Sequence, residues 1–242
     1  MLCVLALGLL CTVGMAYAGT FVSFNGQFHF TYPESWQQVD YRTADYYLNQ
    51  GRAEDETPTY EAVFVDGKAS KVFSGQYLIL TVDTLGELTR HEIDSTLDVM
   101  AVDFHRTLEE VTADSFLAGW DPEKLYYDST NRAAAVVSEL PGEDGSVRFN
   151  LMAVRFHKHG IANFYFYCPA EEFAAALPAY KTMVLSLSNE NLQDALPHEK
   201  AKVAKVDGAG NTWKYLALAG GLLAIIVVAI LVFRKKPGSK AA

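Results

Sequence analysis

Four strand-like segments in the second half of the domain constrain the fold of this chain more than any other feature of its sequence. They are KLYYD, RAAAVVSEL, SVRFNLMAVRF and IANFYFYC, all within residues 124–168. The connections between them, at 129–131, 142–145 and 157–160, are short and rich in glycine, asparagine, serine and charged residues. Strands joined in this way are antiparallel neighbours, so the pattern predicts a four-stranded meander.

An aromatic corner is predicted near the start of the domain. Asn25-Gly26 lies between FVSF and QFHF, and both residue types tolerate the positive φ of a type I′ turn, which predicts a hairpin. The strand at 27–32 alternates aromatic and polar residues, so its aromatic side chains share one face. Pro33 ends this strand because it has no N–H to donate, and Trp36 follows as a large core residue.

Helices are predicted on either side of further strands at 60–65 and 76–82. Residues 41–58 suggest a short helix and a loop, and Thr89 with Glu92 matches a capping box at the start of a long helix. The apolar stripe of that helix, at spacings of three and four, is Ile93, Leu97, Met100, Phe104 and Leu108. A last helical region begins at Pro169, and Pro178 is expected to restart it as a second helix. These elements predict one α+β domain, residues 19–188, with an antiparallel sheet covered by helices.

Both ends of the chain carry segments that point to export and anchoring. Residues 1–18 are uncharged and end in Ala16-Tyr17-Ala18, which predicts a secretory signal peptide and a mature start near Gly19. Residues 215–233 are nineteen residues without a charge, and at about 1.5 Å per residue they cover about 28 Å. This predicts a single transmembrane helix. The residues expected at its two boundaries are Trp213, Tyr215, Phe233, Arg234, Lys235 and Lys236.

The predicted transmembrane helix also determines how the segments on either side of it are interpreted. Residues 189–214 are predicted to form a flexible stalk, and the basic tail at 234–242 is expected in the cytoplasm, with the domain outside the cell membrane. A sorting signal that is cut after export is the alternative interpretation of the helix and tail. Small residues near the outer half of the helix suggest self-association through a close-packed face: Ala217, Gly220, Gly221 and Ala224.

Charge and cysteine content narrow the range of partners. All 29 Asp and Glu lie within residues 19–213, which hold only 15 of the 20 Lys and Arg, so this part carries a net charge of about −14. Such a surface argues against nucleic acid and anionic lipid headgroups as partners, and leaves basic protein surfaces and divalent cations as alternatives. Cys168 is the only cysteine outside the predicted signal peptide, so no intramolecular disulfide can form, and its place on a strand predicts a buried, inert thiol.

Few residue patterns suggest chemistry. His157 and His159 form an H-x-H pair at a predicted turn and are weak candidates for metal ligands. His91 and Asp94 lie one turn apart on the long helix, with His105 beyond them. A further candidate, a cation-attracting acidic loop, would consist of Asp40, Asp45, Glu54, Asp55 and Glu56. No catalytic motif and no cofactor motif is present, so neither an enzymatic reaction nor a cofactor is expected.

The order of these elements resembles the PsbP-like family of extracytoplasmic α/β/α sandwiches, related to the extrinsic PsbP subunit of photosystem II. The residues that carry the resemblance are Phe30, Tyr32, Pro33 and Trp36, with Leu185 and Ser186 near the end of the domain. The resemblance implies the fold, which a nuclear Ran-binding protein shares, but no single function. The transmembrane segment departs from the soluble photosystem subunit.

The sequence therefore favours a membrane-anchored, non-enzymatic module that binds a protein partner or supports an assembly outside the cytoplasm. Two alternatives come from other classes: an exported enzyme, and a sensor that binds a small ligand or a metal. A deep cleft with convergent polar groups would favour either alternative, whereas a filled core with an aromatic or acidic surface patch would favour the interaction module.

Overall fold

The computed structural model describes residues 17–48, 60–67, 73–142 and 145–187. All of these residues belong to one compact unit. They form ten strands and three helices. The strands are β1 Tyr17–Val22, β2 His29–Pro33, β3 Trp36–Gln38, β4 Ala62–Asp66, β5 Tyr77–Asp83, β6 Thr107–Val111, β7 Lys124–Asp128, β8 Ala133–Pro141, β9 Val147–His157 and β10 Gly160–Pro169. The helices are α1 Tyr41–Leu48, α2 Arg90–Asp103 and α3 Ala170–Leu185.

Eight strands form one mixed sheet in the order β3-β4-β5-β10-β9-β8-β7-β6. The predicted meander is confirmed, because β7, β8, β9 and β10 pair antiparallel with their neighbours along the chain. Strand β10 also pairs antiparallel with β5, which places β3, β4 and β5 beyond β10, whereas β6 lies beyond β7 at the other edge. Strands β1 and β2 form a separate antiparallel hairpin.

One face of the sheet is covered by the β1–β2 hairpin and by α3. The inward residues of β10 alternate along the strand, so that Phe164 and Phe166 share this face. The ring of Phe30 from the hairpin lies 5.3 Å from that of Phe164, and the ring of Tyr180 from α3 stacks 4.2 Å from that of Phe166. These aromatic contacts form the main core of the domain.

The opposite face of the sheet carries α1 and α2. Ala44 of α1 packs with Val39 and Val63 in a small separate core cluster. On α2 the buried residues are Ile93, Leu97 and Met100, and the guanidinium of Arg90 lies 5.6 Å from the ring centre of Tyr127 on β7. Helices on both faces give the α/β/α layering that an α+β prediction with helical cover requires.

The β1–β2 connection is a hairpin, but the predicted turn type is wrong. Gly26 has φ +68°, whereas Asn25 is not among the described residues with positive φ, so the two residues do not form a type I′ turn. The Asn25 side chain instead accepts hydrogen bonds from the Ser23 hydroxyl (2.6 Å) and from the Gln27 N–H (3.0 Å). These local bonds stabilise a turn in which Asn25 does not need a positive φ.

The end of the long helix also differs from the prediction. The Thr89–Glu92 capping box is confirmed, but α2 ends at Asp103, so Leu108 does not extend its apolar stripe. His105 takes a left-handed conformation (φ 53°), and the N–H of Arg106 bonds the carbonyl of Ala101 at 2.8 Å. The chain then reverses, and β6 pairs parallel with β7, which places Leu108 in an edge strand.

Helix α3 continues through Pro178, so the predicted restart at this residue is wrong. Proline removes the N–H that would bond the carbonyl of Ala174, but both residues are exposed. A carbonyl on the exposed side of a helix can be solvated instead, which limits the cost of the missing bond.

The predicted signal-peptide boundary lies inside the first strand. Strand β1 begins at Tyr17, and its ladder with β2 is irregular between Tyr17 and Gly19. A Cβ atom at Gly19 would lie only 1.9 Å from the ring of Tyr32, so this ring requires a residue without a side chain. Residues 1–16 and the whole of the predicted stalk, transmembrane helix and tail lie outside the described residues. In the part that is described, no helix has the length and apolar character needed to cross a membrane.

Candidate functional site

Every exposed aromatic side chain of the described residues lies on α1 or stacks against it. These residues are Phe24, in the β1–β2 turn, and Tyr41, Tyr46 and Tyr47, on α1. Phe24 is 73% exposed and Tyr46 is 66% exposed. We call these four residues the aromatic patch. Elsewhere in the described residues the aromatic rings are buried or half-buried, so the patch is the principal candidate site.

Helix α1 positions three of the four rings. Asp40 caps it, because its carboxylate accepts bonds from the N–H (3.0 Å) and the hydroxyl (2.6 Å) of Thr43. These bonds lower the pKa of Asp40. Ala44 is the one described residue of α1 that is fully buried, and at 100° per residue Tyr46 points away from the sheet, whereas Tyr41 and Tyr47 lie to either side of Ala44.

One flank of the patch is a stack of three rings. The ring centres of Phe24 and Tyr41 are 5.4 Å apart, and those of Tyr41 and Tyr60 are 5.9 Å apart. The Tyr41 hydroxyl donates to the carbonyl of Glu61 (2.6 Å), and the Tyr60 hydroxyl donates to a carboxylate oxygen of Asp45 (2.7 Å). Burial and the bond to Asp45 raise the pKa of Tyr60, so it stays a neutral donor. The stack is therefore fixed at both hydroxyls.

The other flank connects the patch to the sheet. The rings of Tyr46 and Tyr47 meet edge to face at 5.1 Å, and Tyr47 meets Phe73 at 5.5 Å. Phe73 in turn meets Tyr77 of β5 at 4.8 Å, and Tyr77 stacks on Tyr167 of β10 at 4.6 Å. Aromatic contact is thus continuous from the exposed ring of Tyr46 to the centre of the sheet.

Carboxylates lie at the edge of the patch. Glu61 accepts a hydrogen bond of 2.6 Å from the N–H of Phe24, which holds the charge beside the exposed ring. Burial raises the pKa of Glu61, although this hydrogen bond acts in the opposite direction. Together with Asp40 and Asp45 there are three acidic residues to one basic residue, Arg42, among residues 23–26, 40–48 and 60–61. The arrangement suits recognition of a cationic group that also offers a flat surface.

The H-x-H pair is brought together at the β9–β10 turn, where the two ring centres are 5.2 Å apart. His157 is buried, with its ring 4.9 Å from that of Phe28, and its Nδ1 atom accepts the N–H of His159 at 3.2 Å. This bond uses the lone pair of the His157 Nδ1 atom. No group of three or more His, Cys, Asp or Glu residues within the described ranges is placed to hold a metal ion.

The helical histidines do not form the arrangement that would support acid–base chemistry. The carboxylate of Asp94 pairs with Arg90 at 2.8 Å, one turn earlier, and both side chains are largely exposed. His105 lies beyond the end of α2, in a left-handed conformation. His91 is exposed near the helix start. The Asp94 carboxylate thus has a surface partner of its own.

Cys168 lies fully buried on β10, as the alternation of that strand predicted. Burial raises its pKa to about 11, so the thiolate that could act as a nucleophile is scarce at neutral pH. This thiol belongs to the core beneath α3.

Arg155 is the most deeply buried cation of the described residues. It lies on the same face of β9 as the core residues, and its guanidinium donates to the carbonyl of Leu187 at 3.2 Å, just beyond α3. Burial lowers its pKa to about 10. The contact ties the carboxyl end of α3 to the sheet, which is a structural role.

The residues that carried the family resemblance lie in or against the core. Phe30, Pro33 and Trp36 are buried, and Tyr32 packs against them from the hairpin. Other predicted residues lie outside the described ranges: Glu54, Asp55, Glu56, Trp213, Tyr215, Phe233, Arg234, Lys235, Lys236, Ala217, Gly220, Gly221 and Ala224.

Sequence reasoning did not identify the aromatic patch, because residues 41–58 were interpreted only as a polar helix and loop. A signal was present. Measured around the helix axis from Tyr41, Tyr46 lies at about 140° and Tyr47 at about 240°. One buried face therefore cannot hold all three rings. At least one ring had to be exposed.

No family model matches the sequence, and no curated protein matches it. Among solved structures, the chain is similar to a protein from Bacteroides thetaiotaomicron, with 12% identity, a TM-score of 0.41, and coverage of 72% of this chain and 48% of that one. The chain thus spans about half the length of that protein. It is also similar to cyanobacterial PsbP (CyanoP) from Synechocystis, with 14% identity, a TM-score of 0.33, and coverage of 75% and 98%.

A third similar structure is the Ran-binding protein Mog1p of Saccharomyces cerevisiae, with 11% identity, a TM-score of 0.34, and coverage of 72% of this chain and 87% of that one. PsbP and a Ran-binding protein are among the proteins that the sequence resemblance named. Because every one of these TM-scores is below 0.5, no property of the three proteins is transferred to this chain.

Proposed function

We propose that this protein is a single-pass membrane protein whose PsbP-like domain acts outside the cytoplasm as a non-enzymatic module for protein interaction or assembly. The observation that carries the proposal is the aromatic patch, Phe24, Tyr41, Tyr46 and Tyr47, on the surface of a domain whose other aromatic rings pack into or against the core. Tyrosine and phenylalanine are enriched at the centres of protein interfaces, where burying them contributes most of the binding energy.

The rigidity of the patch supports this function. The rings of Tyr41 and Tyr60 are fixed by hydroxyl hydrogen bonds, and Phe24 stacks on Tyr41. Side chains that are already ordered lose less conformational entropy when a partner covers them, so more of the gain from burial appears as affinity.

The proposed location rests on the sequence. The signal peptide at 1–18 would export residues 19–188, the stalk at 189–214 would separate the domain from the bilayer, and the helix at 215–233 would anchor it. The tail at 234–242 would remain in the cytoplasm. Assignment to the PsbP-like family rests on the sequence resemblance and on the agreement between the predicted element order and the observed one.

Site-specific photocrosslinking in the native membrane tests the proposal. A benzoylphenylalanine in place of Phe24 should yield a small number of discrete protein adducts. The matched control places the same group at Val102 on α2, which is 70% exposed against 73% for Phe24. Adducts of equal yield and pattern from both positions, or none from position 24, would contradict the interaction function.

A further inference from the structure

We propose that the aromatic patch, with the carboxylates at its edge, docks an arginine-containing basic segment of the partner protein. The inference rests on the proposed function and specifies the chemistry of the partner. It is drawn from the placement of three groups: the exposed ring of Phe24, the carboxylate of Glu61 bonded to the Phe24 backbone, and the carboxylate of Asp45 bonded to Tyr60.

Phe24 provides the stacking surface. One side of its ring lies against Tyr41, at 5.4 Å and an angle of 30° between the ring planes, while nearly three quarters of the residue is exposed. A guanidinium placed over the exposed side would extend the stack of Phe24, Tyr41 and Tyr60 by one more flat group. Arginine suits this position better than lysine, because its guanidinium is planar, is weakly hydrated and stacks on aromatic faces.

The carboxylates provide the charge. The Phe24 N–H bond to Glu61 keeps this carboxylate within reach of a cation that sits on the ring. Asp40 and Asp45 lie along α1 on the same region of the surface, and Arg42 is the one basic residue within residues 23–26, 40–48 and 60–61. An arginine can therefore stack and pair with a carboxylate at once, and neighbouring basic residues of the segment would meet the other two carboxylates.

The same charges argue against a lipid surface as the occupant. Exposed aromatic rings also suit the interfacial region of a bilayer, but those rings usually act with lysine and arginine. Here the adjoining residues are mainly acidic, and residues 19–213 carry a net charge of about −14, which anionic headgroups would repel. A basic protein segment is complementary to both the rings and the charge.

The test measures binding of defined peptides to the full-length protein in a non-ionic detergent. The probes are a fluorescein-labelled peptide of alternating arginine and glycine, and a lysine–glycine peptide of equal length and charge, both followed by fluorescence anisotropy. Two variants alter the site, Phe24→Ala and Glu61→Gln. Their matched controls on α2 are Val102→Ala, an exposed apolar residue, and Asp98→Asn, an exposed acidic one.

We expect the arginine peptide to bind about 3-fold or more tightly than the lysine peptide. Phe24→Ala should weaken binding of the arginine peptide about 5-fold and remove this preference, because it deletes the stacking surface. Glu61→Gln should weaken binding about 3-fold while keeping an acceptor for the Phe24 N–H. The two controls should change binding less than about 2-fold.

Equal binding of the two peptides, or equal losses in the site variants and their controls, would overturn the inference, because charge over the whole domain would then explain the binding. Such a result together with protein adducts from position 24 would leave the interaction function standing with a partner of different chemistry. Lipid adducts instead of protein adducts from position 24 would overturn the function and the inference together.

Discussion

Replacing Trp36 by alanine should lower the free energy of unfolding by about 3–5 kcal/mol. Trp36 is 4% exposed, and its ring meets Phe166 of β10 edge to face, with 6.4 Å between the ring centres. It meets Tyr180 of α3 at 6.1 Å in the same manner. Trp36 thus joins an edge strand, a central strand and a helix.

The magnitude follows from these contacts. A buried tryptophan removes roughly 200 Å² from water, which at about 25 cal/mol per Å² is worth about 5 kcal/mol, and alanine retains part of it. Each edge-to-face ring pair adds about 0.5–1.5 kcal/mol. Relaxation reduces the loss, because β3 has only three residues and lies at the edge of the sheet, where it can move into the vacated space.

The assay is urea unfolding of the full-length protein, with the folded fraction measured by pulse proteolysis. With an m value of about 2 kcal/mol per molar, the midpoint should fall by about 1.5–2.5 M. The control is Gln38→Ala, in the same strand but exposed, which should leave the midpoint nearly unchanged. A loss below about 1 kcal/mol for Trp36→Ala would refute the assignment of Trp36 to the core.

Three further predictions test other features. Iodoacetamide at pH 8 should alkylate Cys168 roughly 100-fold more slowly in the native protein than in urea, by mass spectrometry, because burial raises its pKa to about 11; equal rates would show an open thiol. Asp83→Asn should raise the urea midpoint at pH 7, because burial raises the pKa of Asp83 and ionisation then costs stability as pH rises. That gain should vanish below about pH 3, where the carboxyl is protonated in both the folded and the unfolded states, and a gain independent of pH would exclude this cause. Lysines in place of Val227 and Val228, each costing about 2.5–3.5 kcal/mol in a bilayer, should release the domain from membranes in a fractionation assay, whereas retention would contradict the anchor.

The meander could be predicted from the sequence because the residues that determine each strand pairing lie close together in the chain. Each connection is short, and the turn at 157–160 leaves only Lys158 and His159 between paired strands. Gly160, with φ +137°, is needed there, since a Cβ would lie 1.8 Å from the carbonyl oxygen of Asp83 on β5. Short turns and one residue of special conformation leave few alternatives for the pairing of β9 with β10.

The parallel pair of β6 with β7 could not be predicted in the same way. Leu108 fits the three–four spacing of the preceding helix, and the signal that ends this helix is His105 in a left-handed conformation, where glycine is the usual residue. The pairing joins strands separated by residues 112–123, so no turn pattern marks it. Only the finished sheet, which offers β7 as an unpaired edge, determines where β6 lies.

Periodic apolar patterns in a sequence identify the buried face of a helix or strand, whereas the aromatic patch consists of exposed residues. Ala44 is the one fully buried residue that α1 contributes, so the helix gives almost no periodic apolar signal. Its tyrosines can be recognised only because they lie at positions that do not belong to a single buried stripe. The two sets of aromatic residues therefore carry different information: Trp36 is fixed by the packing that it fills, whereas packing does not require the exposed ring of Phe24.

That difference is the main reason for assigning function to the patch. A large exposed ring adds little to the stability of a domain and increases its tendency to associate, so the fold gains nothing from Phe24 or Tyr46. This region nevertheless contains several ordered contacts: a side-chain cap on α1, two hydrogen bonds from tyrosine hydroxyls, and the hydrogen bond from the Phe24 backbone to the Glu61 carboxylate. Contacts that hold exposed rings in a fixed orientation beside fixed charges are expected where a partner covers the rings. Side chains that are already ordered in the free protein lose less conformational entropy on binding.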